Sequence, residues 1–154
     1  MCFTDPFQGK LLADFATKTL KVKKVAILSD VSYIREGLVY LLAGGINRVT
    51  TELPGTLNVA LTVMVELEAI EFGQNHQIAV KIVHAQSATR VGEATGQFHS
   101  GDTSKLGPGE PMLLPLVVPL KGISLPEHGP YDIHVTVNGE PQQLLTFRCL
   151  PPRR

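Results

Sequence analysis

The feature that most constrains the fold of this chain is a two-residue alternation of apolar side chains, which recurs from Val25 to Cys149. It is clearest over residues 57–67, where every odd-numbered position holds leucine or valine and the even positions include Asn58, Thr62 and Glu66. Because successive side chains of a β-strand point to opposite faces, this spacing predicts strands with one face in a hydrophobic core.

The same alternation predicts several further strands, separated by stretches rich in glycine, proline and polar residues. The residues expected to face inward are Ile78, Val80, Ile82, Tyr131, Ile133, Val135, Val137, Leu145, Phe147 and Cys149. Eight or nine short strands with turn signals between them are typical of an all-β fold. We expect an antiparallel β-sandwich, immunoglobulin-like or related, with a closed barrel as the alternative.

The chain of 154 residues has the size of one domain. Residues 1–21 differ from the rest, because Leu11, Leu12, Phe15 and Leu20 have roughly helical spacing. We therefore predict an N-terminal tail or short helix at 1–21, a sandwich domain at 22–150 and a C-terminal tail at 151–154.

Two turns can be predicted in more detail. The stretch Arg35-Glu36-Gly37 suits a three-residue hairpin loop, which would set Ile34 opposite Leu38 and give one continuous apolar face. Asn138-Gly139 is a strong turn signal, but the inward-facing residues on its two sides have the wrong parity for a simple two-residue turn. An odd-length loop or a bulge is expected there.

Prolines mark one strand as a sheet margin. Pro115 and Pro119 flank Val117. Because proline has no backbone N–H, a strand that contains these residues cannot be fully hydrogen-bonded to neighbouring strands on both of its sides. We predict that this edge is a candidate interaction surface. A partner strand could add to it, or the prolines could protect it from such addition, and the sequence leaves both alternatives open.

Gly44-Gly45 raises the question of a phosphate-binding loop. Such a loop leads from a strand into a helix and usually carries a lysine, whereas here the β-branched stretch 46–51 follows. A bulge or bend that lets the chain pass from one sheet to the other is the better interpretation, with close approach of a partner's backbone as the alternative.

The charge composition argues against several function classes. Lysine plus arginine and aspartate plus glutamate number 14 each, so the net charge is zero, which disfavours nucleic-acid binding and permits self-association. Apolar runs are too short to span a membrane, and Asp5, Lys10 and Asp14 interrupt the region where a signal peptide needs apolar residues. We expect a cytoplasmic protein without a membrane contact.

No catalytic or metal-binding motif stands out. His84, His99 and His134 could converge, and Glu66, Glu68 and Glu71, with Asp102, could hold Ca²⁺, but solvated or singly hydrogen-bonded side chains are the simpler interpretation. Cys149 is expected to be a small buried thiol. We predict no cofactor, no metal and no enzymatic activity, although a triad assembled from distant positions would escape this search.

Two stretches carry a resemblance to a known family. "AILSDVSYIREGLVYLLAGGINRV" and, much later, "LPEHGPYDIHVTVNGE" resemble motifs of a family of small uncharacterised proteins, mainly actinobacterial, that is filed as a domain of unknown function. This chain has Ala43-Gly44-Gly45 where the family often has three glycines. The resemblance implies an immunoglobulin-like sandwich in the bacterial cytoplasm and no mechanism.

These observations give a main hypothesis and an alternative. The main hypothesis is a non-enzymatic interaction or structural module whose partner is another protein or a second copy of itself. The alternative is a small-ligand or metal-binding sandwich with its site in the end loops at 73–77, 100–110 and 125–130.

Overall fold

The structure, a computed structural model, describes residues 25–101 and 106–153. The expected N-terminal tail or helix at 1–21 lies outside the described residues. Within them the chain is all-β, with ten strands rather than eight or nine. The strands are β1 (Val25–Ser29), β2 (Val31–Arg35), β3 (Leu38–Leu42), β4 (Arg48–Thr50), β5 (Gly55–Leu67), β6 (Asn75–His84), β7 (Arg90–His99), β8 (Met112–Leu125), β9 (Gly129–Val137) and β10 (Glu140–Leu150).

The strands form two larger sheets and one hairpin. The first sheet has the order β1-β5-β8, the second has the order β4-β10-β9-β6-β7, and β2 pairs with β3 alone. All pairs are antiparallel except β4 with β10, which is parallel. The proline-bearing strand β8 lies at the edge of its sheet, as its sequence predicts.

The hydrophobic core lies between the two larger sheets. β5 supplies all six odd-numbered residues from Leu57 to Leu67, and each of them is buried. They pack with buried residues of the second sheet, namely Ile78, Val80, Ile82, Tyr131, Ile133, Val135, Val137, Phe147 and Cys149. The alternation in the sequence therefore predicts the core correctly, because each of these strands turns one face to the opposite sheet.

The turn between β9 and β10 contains the expected bulge. Asn138 and Gly139 both have positive φ, at 51° and 81°, and Val137 lies opposite Glu140, so the turn itself has two residues. The register then shifts between Pro141 and Gln143. The extra residue restores the parity that brings Phe147 and Cys149 into the core.

Candidate functional site

The hairpin β2–β3, residues Val31–Leu42, is called the arm below. Glu36 and Gly37 form its turn with φ of 53° and 75°, which is the two-residue turn with both central residues left-handed. The predicted three-residue loop is therefore wrong. Ile34 lies opposite Val39 rather than Leu38, because Glu36 also adopts a left-handed conformation.

The arm lies over the outer face of the β1-β5-β8 sheet. The hydroxyl oxygens of Ser32 and Thr62 are 2.6 Å apart in a hydrogen bond, and Thr62 is only 4% exposed. Its neighbour on the same face of β5, Ala60, is also buried. These even-numbered positions would face solvent in an uncovered sheet, so the arm covers this part of the outer face.

The other face of the arm, called the outward face, is apolar and exposed. It consists of Val31, Tyr33, Arg35, Leu38, Tyr40 and Leu42, which pair with one another across the two strands. Tyr33 is 52% exposed, Leu38 61% and Leu42 64%. The register change thus also overturns the expected single apolar face, because large apolar side chains lie on both faces of the arm.

Two tyrosines organise the outward face. The rings of Tyr33 and Tyr40, which lie directly opposite each other, are stacked with centroids 4.9 Å apart and planes 3° from parallel. Aromatic rings present large apolar area with little conformational entropy to lose, which makes them frequent anchors of protein interfaces. Arg35 and Glu36 are the charged residues of the arm and lie at its tip, where Nε of Arg35 is 3.7 Å from Oε1 of Glu36.

Gly44 and Gly45 lie at the base of the arm. Ala43 and Gly45 have positive φ, and the amides of Gly45 and Ile46 both donate to the carbonyl of Leu28, at 2.8 and 3.0 Å. The chain then enters β4, which pairs with β10 in the second sheet. The glycine pair therefore stands where the chain leaves the arm and crosses to the other sheet.

The residues of the predicted interaction edge all lie on β8. Pro115, Val117 and Pro119 pair with Met64, Thr62 and Ala60 of β5. A proline fits a paired strand where its missing N–H would point away from the neighbouring strand. Both prolines therefore remove donors from the free side of β8, which weakens this edge as a template for a partner strand.

The three candidate histidine ligands do not converge. His84 is buried at one end of β6, and His99 pairs with Asn75 at the other end, about 30 Å away at ~3.3 Å per residue. His134 is exposed and pairs with Lys81 and Leu144. Within residues 25–101 and 106–153, no three His, Cys, Asp or Glu side chains are grouped so that they could hold a metal ion.

The acidic residues after β5 form a local cap. The Glu71 carboxylate accepts a hydrogen bond from the Glu68 amide at 2.9 Å, beside a 3-10 turn at Ala69–Glu71. Glu66 is exposed at the end of β5, and Asp102 lies outside the described residues. Two of the candidate ligand loops meet, because the Gly73 amide donates to the Ser100 hydroxyl at 2.6 Å.

Cys149 is a free, fully buried thiol, as expected. Burial raises its pKa above the ordinary 9.0, and burial likewise raises the pKa of Tyr131. In the unfolded chain the thiol ionises near its ordinary value, so the unfolded state binds fewer protons than the folded state above pH 9.

Folding stability is therefore expected to fall as the pH rises above 9 through Cys149 and above 10 through Tyr131, by up to about 1.4 kcal/mol per pH unit for each group. Urea denaturation between pH 8 and 10 measures this slope. Cys149→Ala is expected to show a shallower slope than the wild type, whatever its stability at neutral pH. Equal slopes would show that the buried thiol does not contribute.

One sequence feature indicates the exposed apolar face of the arm, although it is not part of the two-residue alternation. Residues 38–42, Leu-Val-Tyr-Leu-Leu, are five consecutive apolar residues. A short strand with such a run is apolar on both faces, so a two-stranded hairpin can bury at most one of them. An exposed apolar face follows wherever no second layer covers the hairpin.

Comparison with known proteins gives a family and a distant structural likeness. A protein-family model matches residues 24–149, and the family that it describes has no known function. No curated protein matches. The alkylpurine DNA glycosylase AlkC of Pseudomonas fluorescens, solved bound to DNA containing an abasic-site analog, is similar at 16% identity with a TM-score of 0.38. The match covers 67% of this chain and 27% of the glycosylase, so the chain spans about a quarter of that protein.

None of the helices in the described part of the chain combines the length and the apolar character that crossing a membrane requires.

Proposed function

The chain belongs to the family of unknown function DUF6941, and we propose that it is a non-enzymatic interaction module that binds a second copy of itself through the outward face of the arm. The observation that carries this proposal is the exposure of large apolar side chains on that face. Tyr33, Leu38 and Leu42 are each more than half exposed in one chain. An apolar surface of this kind on a soluble domain is typical of an interface.

A second copy suits this surface better than an oppositely charged partner. The two charged residues of the arm pair with each other, so the outward face offers no net charge to complement. The whole chain has no net charge, so two copies do not repel each other. An apolar face repeated on two identical chains meets the requirement of a two-fold interface, in which the same patch contacts itself.

The backbone of the arm supports the same partner. β2 and β3 pair only with each other among the described strands, so each has one unpaired side. A two-stranded hairpin is marginally stable in water on its own, and a second hairpin would add either a packed layer or further strands. Pairing of two arms would therefore stabilise the element that forms the interface.

Two lysines on the outward face test this proposal. Leu38→Lys combined with Leu42→Lys is expected to weaken self-association by at least about a hundredfold, because four charges would be buried in each symmetric interface. Sedimentation equilibrium over a range of protein concentrations measures the effect. Both leucines are exposed in one chain, so the melting temperature of the dissociated protein should stay close to that of the wild-type monomer.

Leu144→Lys is the matched control, because Leu144 is a leucine of β10 with 54% exposure that lies away from the arm. It should leave self-association unchanged. A wild-type protein that stays monomeric at high concentration, or an equal effect of both substitutions, would contradict the proposal.

We also propose that the two packed sheets form an immunoglobulin-like sandwich. The second sheet places the last two strands, β10 and β9, beside β6, with β7 as a further strand, which corresponds to the order of the variable-type sheet. The Tyr131 hydroxyl donates to the Glu127 carbonyl at 2.7 Å, four residues upstream, as in the tyrosine corner of that fold.

The cellular setting is proposed from the sequence. The motifs around Ala43-Gly44-Gly45 and over Leu125–Glu140 support a bacterial origin, and the charged N-terminal residues support a cytoplasmic location. A role without catalysis is supported by the lack of a nucleophile or phosphate-binding motif in the sequence. The neutral charge favours a protein partner over nucleic acid.

A further inference from the structure

An apolar cleft lies between the edges of the two sheets, beside β7. It has a volume of about 310 Å³. Its floor is formed by Ile78 and Val80 of β6, and its walls include Leu116 and Val118 of β8. The cleft is separate from the arm, and its origin can be traced to the sequence of the edge strand.

Three core-facing positions of β7 hold residues that are too small to fill this space, whereas Phe98 near the end of the strand lines it with a large side chain. Ala94 and Gly96 lie opposite Val80 and Ile78, and Gly92 lies opposite Ile82, so all three share the inward side of β7. A Cβ at Gly96 would meet only Ile78, at 3.6 Å. At Gly92 the cleft is closed, because a Cβ there would lie 3.0 Å from Ile123 of β8.

The two rims of the cleft differ in their backbone chemistry. β8 carries Pro115 and Pro119, which remove donors from its free side. β7 spans ten residues, Arg90–His99, and ends its sheet with one side unpaired among the described strands. Its charged residues Arg90 and Glu93 and its bulge at Val91 lie in the first half of the strand, whereas residues 94–98 contain no proline and no charged residue. Prolines, charges and bulges block native edges, so the second half of β7 is open to strand addition.

We propose that β7 binds an extended segment of another protein that carries apolar residues at alternate positions. The segment would extend the second sheet by one strand, with its backbone paired to β7. Every second side chain of an added strand points to the same face, ~6.6 Å apart, and those facing inward would enter the cleft between β7 and the wall at Leu116 and Val118. Backbone pairing then supplies affinity, and the cleft selects apolar side chains.

A synthetic peptide as long as β7, in which valine and threonine alternate between terminal lysines, serves as the probe. We expect saturable shifts of the β7 amide resonances in ¹H–¹⁵N NMR spectra and slower hydrogen exchange at the β7 amides that face away from β6. A peptide of the same composition in an order that breaks the alternation should bind at least about tenfold more weakly.

Gly96→Val fills the cleft at a position where glycine is not required by a positive φ, and it should weaken binding of the alternating peptide by about tenfold or more. Ala94→Leu, from the adjacent inward position, provides a second test if Gly96→Val does not fold. Ala79→Val is the matched control, because Ala79 of β6 faces the side of the sheet opposite to Ile78 and Val80 and does not line the cleft, and it should leave binding unchanged.

Three results would overturn the proposal: no saturable shift at β7, equal binding by Gly96→Val and the wild type, or pairing of β7 with β7 of a second copy in place of the peptide. Shifts in the cleft on adding decanoate, without any effect of the peptide, would assign the cleft to a small apolar ligand and also reject the strand. The lysine variants of Leu38 and Leu42 should bind the peptide normally, so failure at the arm and failure at β7 are distinguishable.

Discussion

Leu61→Ala is expected to lower the free energy of unfolding by about 2–5 kcal/mol. Leu61 is completely buried on the central strand of the first sheet, where it lies between Leu28 of β1 and Val118 of β8. The paired strands β1 and β8 on both sides hold the backbone of β5 in place, so the cavity cannot collapse and the loss should fall in the upper part of this range. Urea denaturation followed by circular dichroism measures it.

Glu66→Ala on the same strand is the control, because Glu66 is exposed beyond the part of β5 that the arm covers. Its effect should stay within about 0.5 kcal/mol. If Leu61→Ala cost less than about 1 kcal/mol, the close packing of the two sheets at this position would be wrong.

Gly129→Ala is expected to destabilise the protein by about 2–4 kcal/mol, from two separate causes. Gly129 has φ of 140°, which a residue with a side chain rarely adopts, and an added Cβ would lie 2.7 Å from Nε2 of His84. The imidazole has little freedom to move away. It is buried, its Nδ1 is 2.8 Å from the Ser87 hydroxyl, and its ring packs edge-on against Tyr131.

Gly139→Ala replaces a glycine of positive φ without creating such a contact. Gly139 has φ of 81° and open space where a Cβ would lie, so only the backbone strain applies and a loss of about 1 kcal/mol is expected. Thermal and urea denaturation of both variants measure the difference. Equal losses would show that the close approach between Gly129 and His84 has no energetic weight.

The sequence predicts the residues of the hydrophobic core well, because a strand with one buried face has an apolar residue at every second position. Leu57 to Leu67 and Tyr131 to Val137 are buried as their alternation indicates. Parity also predicts an odd-length loop or a bulge near Gly139, since Leu145, Phe147 and Cys149 can share the core with β9 only if one residue is skipped, and the structure has the bulge.

The register of the arm and the face that it exposes could not be predicted from the sequence. Its register depends on whether Glu36 joins Gly37 in a left-handed conformation, and non-glycine residues adopt that conformation only when the turn requires it. The apolar run at 38–42 is compatible with burial on either face, and only the position of the arm over Thr62 decides which face is covered. The period of two contains no information about layers outside the core.

The cleft beside β7 could not be predicted from the sequence either, because its prediction requires the position of β7 in the sheet. Gly92, Ala94 and Gly96 give a weak strand pattern when they are considered alone, because their side chains are small. Their meaning appears only when β7 is known to be an edge strand whose inward face lies opposite Ile78 and Val80. The donors missing from β8 at Pro115 and Pro119 can be predicted from the sequence, whereas the open edge across the cleft cannot.

The central claim, that two copies meet through the outward faces of their arms, is tested most directly by isotope-filtered NOE spectroscopy. The sample is a mixture of ¹³C-labelled and unlabelled protein, in which only contacts between different chains give signals. We predict NOEs between the Tyr33 and Tyr40 rings of one chain and the Leu38 and Leu42 methyl groups of the other. Intermolecular NOEs confined to other residues, or none from a protein at concentrations where it sediments as a dimer, would contradict the claim.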